Sequence, residues 1–257
     1  MPACRDCRYL VGGKCTALPV GSQRGPLRNC VQAIAAEYIE LIPKGSRVLE
    51  VGCGAWSPLH AAAPTAGFHW DGIDVNDTYI GRKSIATKIA SVSDIPFADA
   101  TFDYVVATQS MEHWEEYYVS LRKGLSEIFR VLKPGGWALL NFPLFFHGGP
   151  LFVRGHLDEL RALFTPFAGD VRVERWQPSA PLAPVRTHLQ LYWGHPSLWN
   201  KSAQVVDIRA QRRDQVPYFD EPPLGRLEKL WTGLRYRGFT HYGTVAARLA
   251  MKRLRAR

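Results

Sequence analysis

Residues able to do chemistry gather in two places. Four of the five cysteines, Cys4, Cys7, Cys15 and Cys30, fall in the first thirty residues, spaced C-x2-C-x7-C-x14-C. The stretch is broken by Gly12-Gly13, Pro19, Gly21 and Gly25-Pro26. Two cysteines three apart can turn both sulfurs to one ion, and the later two close a loop-rich knot around it. Four thiolates suit tetrahedral Zn2+ or an iron–sulfur cluster such as [4Fe-4S]. So short a segment buries little apolar surface, and a bound metal supplies most of its folding free energy. Disulfide or redox-active pairing and unliganded thiols are the competing readings; without a secretory leader a reducing compartment argues against disulfides.

The second place is the turn Gly52-Cys53-Gly54-Ala55-Trp56-Ser57, with Asp74 twenty residues after Gly54. Glycines let a backbone approach a ligand with no Cβ in the way. A carboxylate at the end of the next strand can accept from both ribose hydroxyls of an adenosine group. These groups need strands to hold them, and the pattern supplies them. Arg47–Gly52, His69–Val75, Lys88–Val92, Phe102–Gln109 and Trp137–Phe142 read as short apolar strands. A helix over Tyr117–Leu132 carries Leu121, Leu125, Ile128, Phe129 and Leu132 at three-to-four spacing, and Lys133-Pro134-Gly135-Gly136 stops it. Leu157–Phe164 reads as a short helix, and Asp170–Gln177 with Thr187–Trp193 as a closing hairpin. Strands alternating with helices predict an α/β, doubly wound, mostly parallel sheet with helices on both faces and a small N-terminal Cys-rich appendage. The division expected is 1–32 for the cysteine module, 33–180 for the core and 181–257 for a C-terminal extension.

The order of several pieces is more specific than any one of them. Val48-Leu49-Glu50-Val51-Gly52-Cys53-Gly54 precedes Gly72-Ile73-Asp74-Val75-Asn76. Ser93-Asp94-Ile95-Pro96-Phe97 with Phe102-Asp103, then Met111-Glu112-His113, then Leu132-Lys133-Pro134-Gly135-Gly136 complete the set. This series resembles the class I S-adenosylmethionine-dependent methyltransferases, in the branch acting mostly on small molecules and lipids, across about 45–145. The resemblance implies a seven-stranded Rossmann-like sheet and S-adenosyl-L-methionine as cofactor. It implies that Glu50, Gly52 and Gly54 shape the pocket around the methionine part. Asp74 then holds the ribose, Asp94 and Ile95 meet the adenine, and Gln109 lies beside the sulfonium and methyl. The sulfonium methyl is already electrophilic, so the protein chiefly supplies in-line positioning and a dry pocket. An oxygen nucleophile gains roughly 10²–10⁴ from a general base. His113 is the first candidate, then His147 and His156; each can equally be an ordinary hydrogen-bonding group. Trp56 and Pro58 depart from the family's small-residue loop ending, and Trp56 is expected to narrow the site or cover the cofactor. The Cys4–Cys15 stretch in turn resembles small four-cysteine modules of both zinc and iron–sulfur proteins.

Charge sharpens the function class. The 257 residues carry a formal net charge of +9, with 46% hydrophobic residues. Arg226–Arg257 holds nine basic residues against Glu228 alone, and residues 1–30 hold five against Asp6. The body between is slightly acidic. The expected function is therefore methyl transfer to a small-molecule, glycan or lipid-linked acceptor, at oxygen. The alternative is an RNA or DNA methyltransferase gripping its polymer with the cysteine module and the basic tail, though Thr108-Gln109-Ser110-Met111 lacks the Asn/Asp-Pro-Pro-Tyr arrangement of amino-methylating enzymes. A dinucleotide oxidoreductase fits poorly, because Ser57-Pro58 stands where a third small residue is needed. A non-enzymatic cofactor-binding scaffold is the last reading. Aromatics at Phe145-Phe146, Trp176, Tyr192-Trp193, Trp199 and Tyr218-Phe219 suit core packing or an acceptor-site cover. The basic C-terminus suits a solvated end or a peripheral membrane contact. No apolar run reaches the length of a membrane span, and a soluble cytoplasmic protein is expected.

Overall fold

The computed structural model describes residues 10–11, 14–15, 26–79, 81–145, 148–176, 204–221, 225, 227–229 and 232. Seven strands form the main sheet: β1 (Arg47–Val51), β2 (His69–Asp74), β3 (Lys88–Ile89), β4 (Phe102–Thr108), β5 (Leu132–Leu144), β6 (Ala168–Trp176) and β7 (Gln204–Arg212). Their order across the sheet is β3-β2-β1-β4-β5-β7-β6. The first five run parallel, and β7 lies antiparallel between β5 and β6. The order of progression reverses between β1 and β4. In open sheets ligands bind at such a switch point, outside the carboxyl ends of the strands.

Alternation along the strands sends neighbouring residues to opposite faces. Val48, Val106, Leu139 and Val205 pack with α1 (Pro26–Leu41) and α2 (Pro58–Ala66) through Ile34, Tyr38 and Leu59. Leu49, Val105, Ala138 and Leu140 pack on the other face with α3 (Leu121–Val131), α4 (Pro150–Arg154) and α5 (Leu157–Ala162). The sheet is thus doubly wound, as the alternation predicts.

Several boundaries move for local reasons. Met111–Tyr117 forms a 3-10 helix of its own, ended by Tyr118 at φ 64°. Helix α3 starts only at Leu121, where the Ser120 hydroxyl accepts from the Lys123 N–H at 3.1 Å. Pairing resumes at once after α3, with Leu132 opposite Phe102, and the Lys133–Gly136 stretch is taken up as an irregularity before Trp137 meets Tyr104. The expected divisions also shift. Helix α1 runs through residue 32, so Cys30 is continuous with the body. Strand β7 comes from the stretch expected to lie beyond the core and occupies the closing position assigned to Thr187–Trp193, which itself lies outside the described residues. Hydrophobic pattern alone does not choose between two apolar strands for one slot in a sheet. No helix among the described residues is long and apolar enough to cross a membrane.

Candidate active site

The turn after β1 is built by close approach. Gly52 has φ 76°, and a Cβ there would sit 2.5 Å from the Ser110 hydroxyl beyond β4. The Gly52 N–H donates to the Ile73 carbonyl at 2.8 Å. The Gly54 N–H then donates to Asp74 Oδ2 at 2.9 Å, while Oδ1 accepts from the Asn76 N–H at 2.9 Å. The Asp74 carboxylate is thereby fixed at the carboxyl end of β2, buried except for its edge. It ties the two loops together. Cys53 lies buried in the same turn, and its thiol is pushed up to about 12 by burial and by the Glu50 and Asp74 carboxylates.

Glu50 is turned inward. One carboxyl oxygen accepts from Ser57 Oγ at 2.5 Å and from Trp70 Nε1 at 2.8 Å. Burial pushes its pKa up to about 7, against the pull of those two donors. Ser57 also caps α2, accepting from the Leu59 and His60 N–H groups, with Pro58 in the first helical turn. Pro58 therefore starts α2 cleanly. Trp56 stands half exposed beside the turn.

Asp94 is exposed, whereas the Ile95 side chain is buried in the core. The Ile95 backbone is clamped from α3, its N–H to Glu127 Oε2 and its carbonyl from Arg130 Nη2, both at 2.8 Å. An adenine contact at this loop thus falls to Asp94 and to backbone rather than to the Ile95 side chain. Gln109 ends β4 in the left-handed region at φ 51°. Ala100, Tyr118 and Phe145, at φ 50°, 64° and 57°, share that conformation. Such strain in non-glycine residues costs about 1–3 kcal/mol each and gathers at functional sites.

His113 lies on the 3-10 helix after β4. Its Nδ1 is 2.9 Å from Glu116 Oε1, and its Nε2 is 3.9 Å from Glu112 Oε1. Burial lowers the pKa of the imidazole, but the Glu116 bond and the charges of both carboxylates outweigh it and leave it raised. Glu112 is fully buried beneath Gly148 and Gly149, and neither of its carboxyl oxygens is hydrogen-bonded to another of the described residues. Desolvation pushes it up to about 7, offset in part by His113. Nothing in the sequence but its place beside His113 marks Glu112. His156 instead precedes α5 and pairs with Glu159 at 2.8 Å. His147 lies outside the described residues.

Cys4 and Cys7 also lie outside them, and Cys15 is described only as backbone, in a two-residue ladder opposite Leu10. The Cys30 side chain is fully buried with Ala33 and Ile34 of α1. Among the described residues no three His, Cys, Asp or Glu side chains converge on a metal position.

Residues 49–140 match the family model described as a methyltransferase domain. That stretch is similar to a methyltransferase domain. The matched stretch holds the glycine turn, Asp74, Gln109 and His113. The domain is 38% identical over 107 residues to a sterol 24-C-methyltransferase of Schizosaccharomyces pombe, covering 37% of this chain and 27% of that protein. It is 32% identical over 102 residues to an O-methyltransferase of Aspergillus sclerotiorum, covering 35% and 37%. The match spans little more than a quarter of the sterol enzyme's length. Among solved structures the MccD protein superposes with a TM-score of 0.51 at 14% identity, covering 70% of this chain and 96% of that one. The main sheet and its helices therefore share a Rossmann-like fold.

Proposed function

We propose that the chain transfers a methyl group from S-adenosylmethionine to an oxygen of a small-molecule or lipid acceptor. One observation carries the reading: the turn at Gly52–Gly54 is hydrogen-bonded onto Asp74 at the switch point of a methyltransferase domain. Asp74 receives the ribose hydroxyls, Gly52 and Gly54 admit the methionine part, and Asp94 accepts from the adenine amine. S-adenosylmethionine supplies the electrophilic methyl: the acceptor oxygen attacks it, the carbon–sulfur bond breaks, and its electron pair goes to sulfur. His113 takes the proton the hydroxyl loses. Glu116 orients the ring from Nδ1, and Glu112 lies behind Nε2 to stabilise the imidazolium so formed. Lipid acceptors are supported by the sterol enzyme among the relatives, whose name also favours a second reading, transfer to carbon.

Calorimetry with S-adenosylhomocysteine on the full chain tests the cofactor: micromolar binding is expected, and none removes the proposal. A panel of hydroxylated and unsaturated lipids, phenols, glycans and RNA, offered with methyl-labelled cofactor, tests the acceptor. Label on an oxygen supports the reading, on carbon the second, and on RNA overturns both. We further propose that Cys4, Cys7, Cys15 and Cys30 hold Zn2+ or an iron–sulfur cluster, on their spacing and thiolate chemistry. Elemental analysis of anaerobically purified chain decides it; the absence of both zinc and iron ends the proposal.

A further inference from the structure

Gln109 holds its left-handed backbone with two bonds to one residue. Its N–H donates to the Asn141 carbonyl at 2.8 Å, and its Nε2 donates to Asn141 Oδ1 at 3.1 Å. Asn141 is fully buried in β5 and is itself held. Its Nδ2 donates to Thr108 Oγ1 at 3.3 Å. Its side chain also lies against the Tyr38 hydroxyl of α1, which donates to Asp207. Thr108, Asn141 and Asp207 stand directly opposite one another on β4, β5 and β7. Asp207 is in turn gripped by Arg209 Nε at 2.7 Å, and Arg209 Nη2 reaches Glu37 of α1 at 2.6 Å.

A polar row across three strands, buried beneath a helix, is a costly way to fill a core. Apolar residues of similar volume are often as stable or more so. What the row does supply is direction. With Nε2 committed to Asn141, the acceptor end of the Gln109 amide, Oε1, has no partner among the described residues. A carbonyl oxygen presented at the end of β4 favours a cationic sulfonium and does little for a neutral thioether.

We propose that Asn141 is a positioning residue that turns the Gln109 carbonyl toward the sulfonium, and that Thr108, Tyr38 and Asp207 fix Asn141 in that orientation. This rests on the reading that S-adenosylmethionine lies across this edge. The consequence is discrimination between the charged methyl donor and its neutral product, which a merely structural role would not alter.

The experiment compares the affinities of S-adenosylmethionine and S-adenosylhomocysteine by calorimetry in the full chain. Gln109→Ala and Asn141→Ala are each expected to cut the preference for the donor by about 5–10-fold, the worth of one hydrogen-bonding group facing a charge. The double variant loses no more than Gln109→Ala alone, because both remove one interaction. An unchanged preference in Asn141→Ala, or losses that add, overturns the inference while leaving the methyltransferase reading intact. Should wild type bind neither compound, that reading fails first and takes this one with it. Thr108→Val guards against misfolding of Asn141→Ala: it frees the Asn141 amide at a half-exposed position, and a shift of about 2–3-fold in the same direction is expected. No shift in a folded Thr108→Val chain counts against the row.

Discussion

Glu112→Gln separates what the buried carboxyl costs from what it does. The wild-type carboxyl is held near 7 in the folded chain, against an ordinary value of 4.5. The raised value means that the folded state binds this proton more tightly than the unfolded chain. Stability is therefore greatest below about 4.5 and falls as pH rises toward 7, above which the full penalty of an ionised buried group applies. At 1.36 kcal/mol per unit that penalty is about 3 kcal/mol at pH 8 and about 1 kcal/mol at pH 5. The value near 7 already includes the pull of the His113 imidazole, 3.9 Å away. Glutamine keeps the shape and cannot ionise. It is expected to stabilise the protein by about 2–3 kcal/mol at pH 8 and by under about 1 kcal/mol at pH 5, a shift of about 5–10 °C in Tm at the higher pH. Urea denaturation at the two pH values, with unchanged m-values, is the assay. If Glu112 stabilises an imidazolium during turnover, the same variant loses methyl transfer while gaining stability, the trade expected of a functional site. A gain equal at both pH values, or a loss at pH 8, refutes the electrostatic reasoning. A more stable variant with full activity refutes the role behind His113.

Asp74→Ala removes the acceptor of the Gly54 and Asn76 N–H groups and is expected to weaken S-adenosylhomocysteine binding at least tenfold by calorimetry. Gly52→Ala places a Cβ 2.5 Å from the Ser110 hydroxyl at φ 76°; a loss of about 2–3 kcal/mol in denaturant unfolding is expected, from left-handed strain plus overpacking. Ser57→Ala removes the α2 cap and a donor to Glu50. It should cost about 1 kcal/mol at pH 5 and more at pH 8, because the lost bond favoured the ionised carboxyl. Once an acceptor is found, kcat/KM is expected to rise with pH through a value above 6.5, as His113 must be neutral to take a proton. Glu116→Gln should move that limb to lower pH, since the Glu116 bond is what raises it.

The parts legible in the sequence are those fixed by local pattern. The glycine turn, the apolar strands and the Asp74 carboxylate all announce themselves through spacing, and the switch point follows from their order. The groups that stayed hidden depend on register between distant strands. Asn141 and Asp207 lie 66 residues apart and meet only because β7 inserts antiparallel beside β5. Glu112 looks like any helix-surface acid until Gly148 and Gly149 close over it. Ile95 shows the converse: next to the exposed Asp94, it is also next in line for the core, and the Arg130–Glu127 clamp draws its side chain there.

Two kinds of tension meet at the carboxyl ends of the strands, while Ala100, also left-handed at φ 50°, stands before β4 at the other edge. Gln109 and Phe145, both left-handed, end β4 and β5. Glu50 and Glu112, carboxyls held near neutrality, sit at the end of β1 and just beyond β4. A strained glutamine where glycine is available, and a fully buried carboxyl with no hydrogen bond to another described residue, are features that cluster at functional sites. The proposed roles give each a use at the strand ends: a carbonyl aimed by Asn141 at a sulfonium, and a carboxyl behind His113. The opposite edge of the same strands shows the contrast, for there Asp103 is exposed to ordinary surface pairing with Lys133 and the Arg47 N–H, and its pKa is lowered. Two buried carboxyls disfavoured as anions at one edge, against Asp103 favoured as an anion at the other, support placing the proposed site at the first.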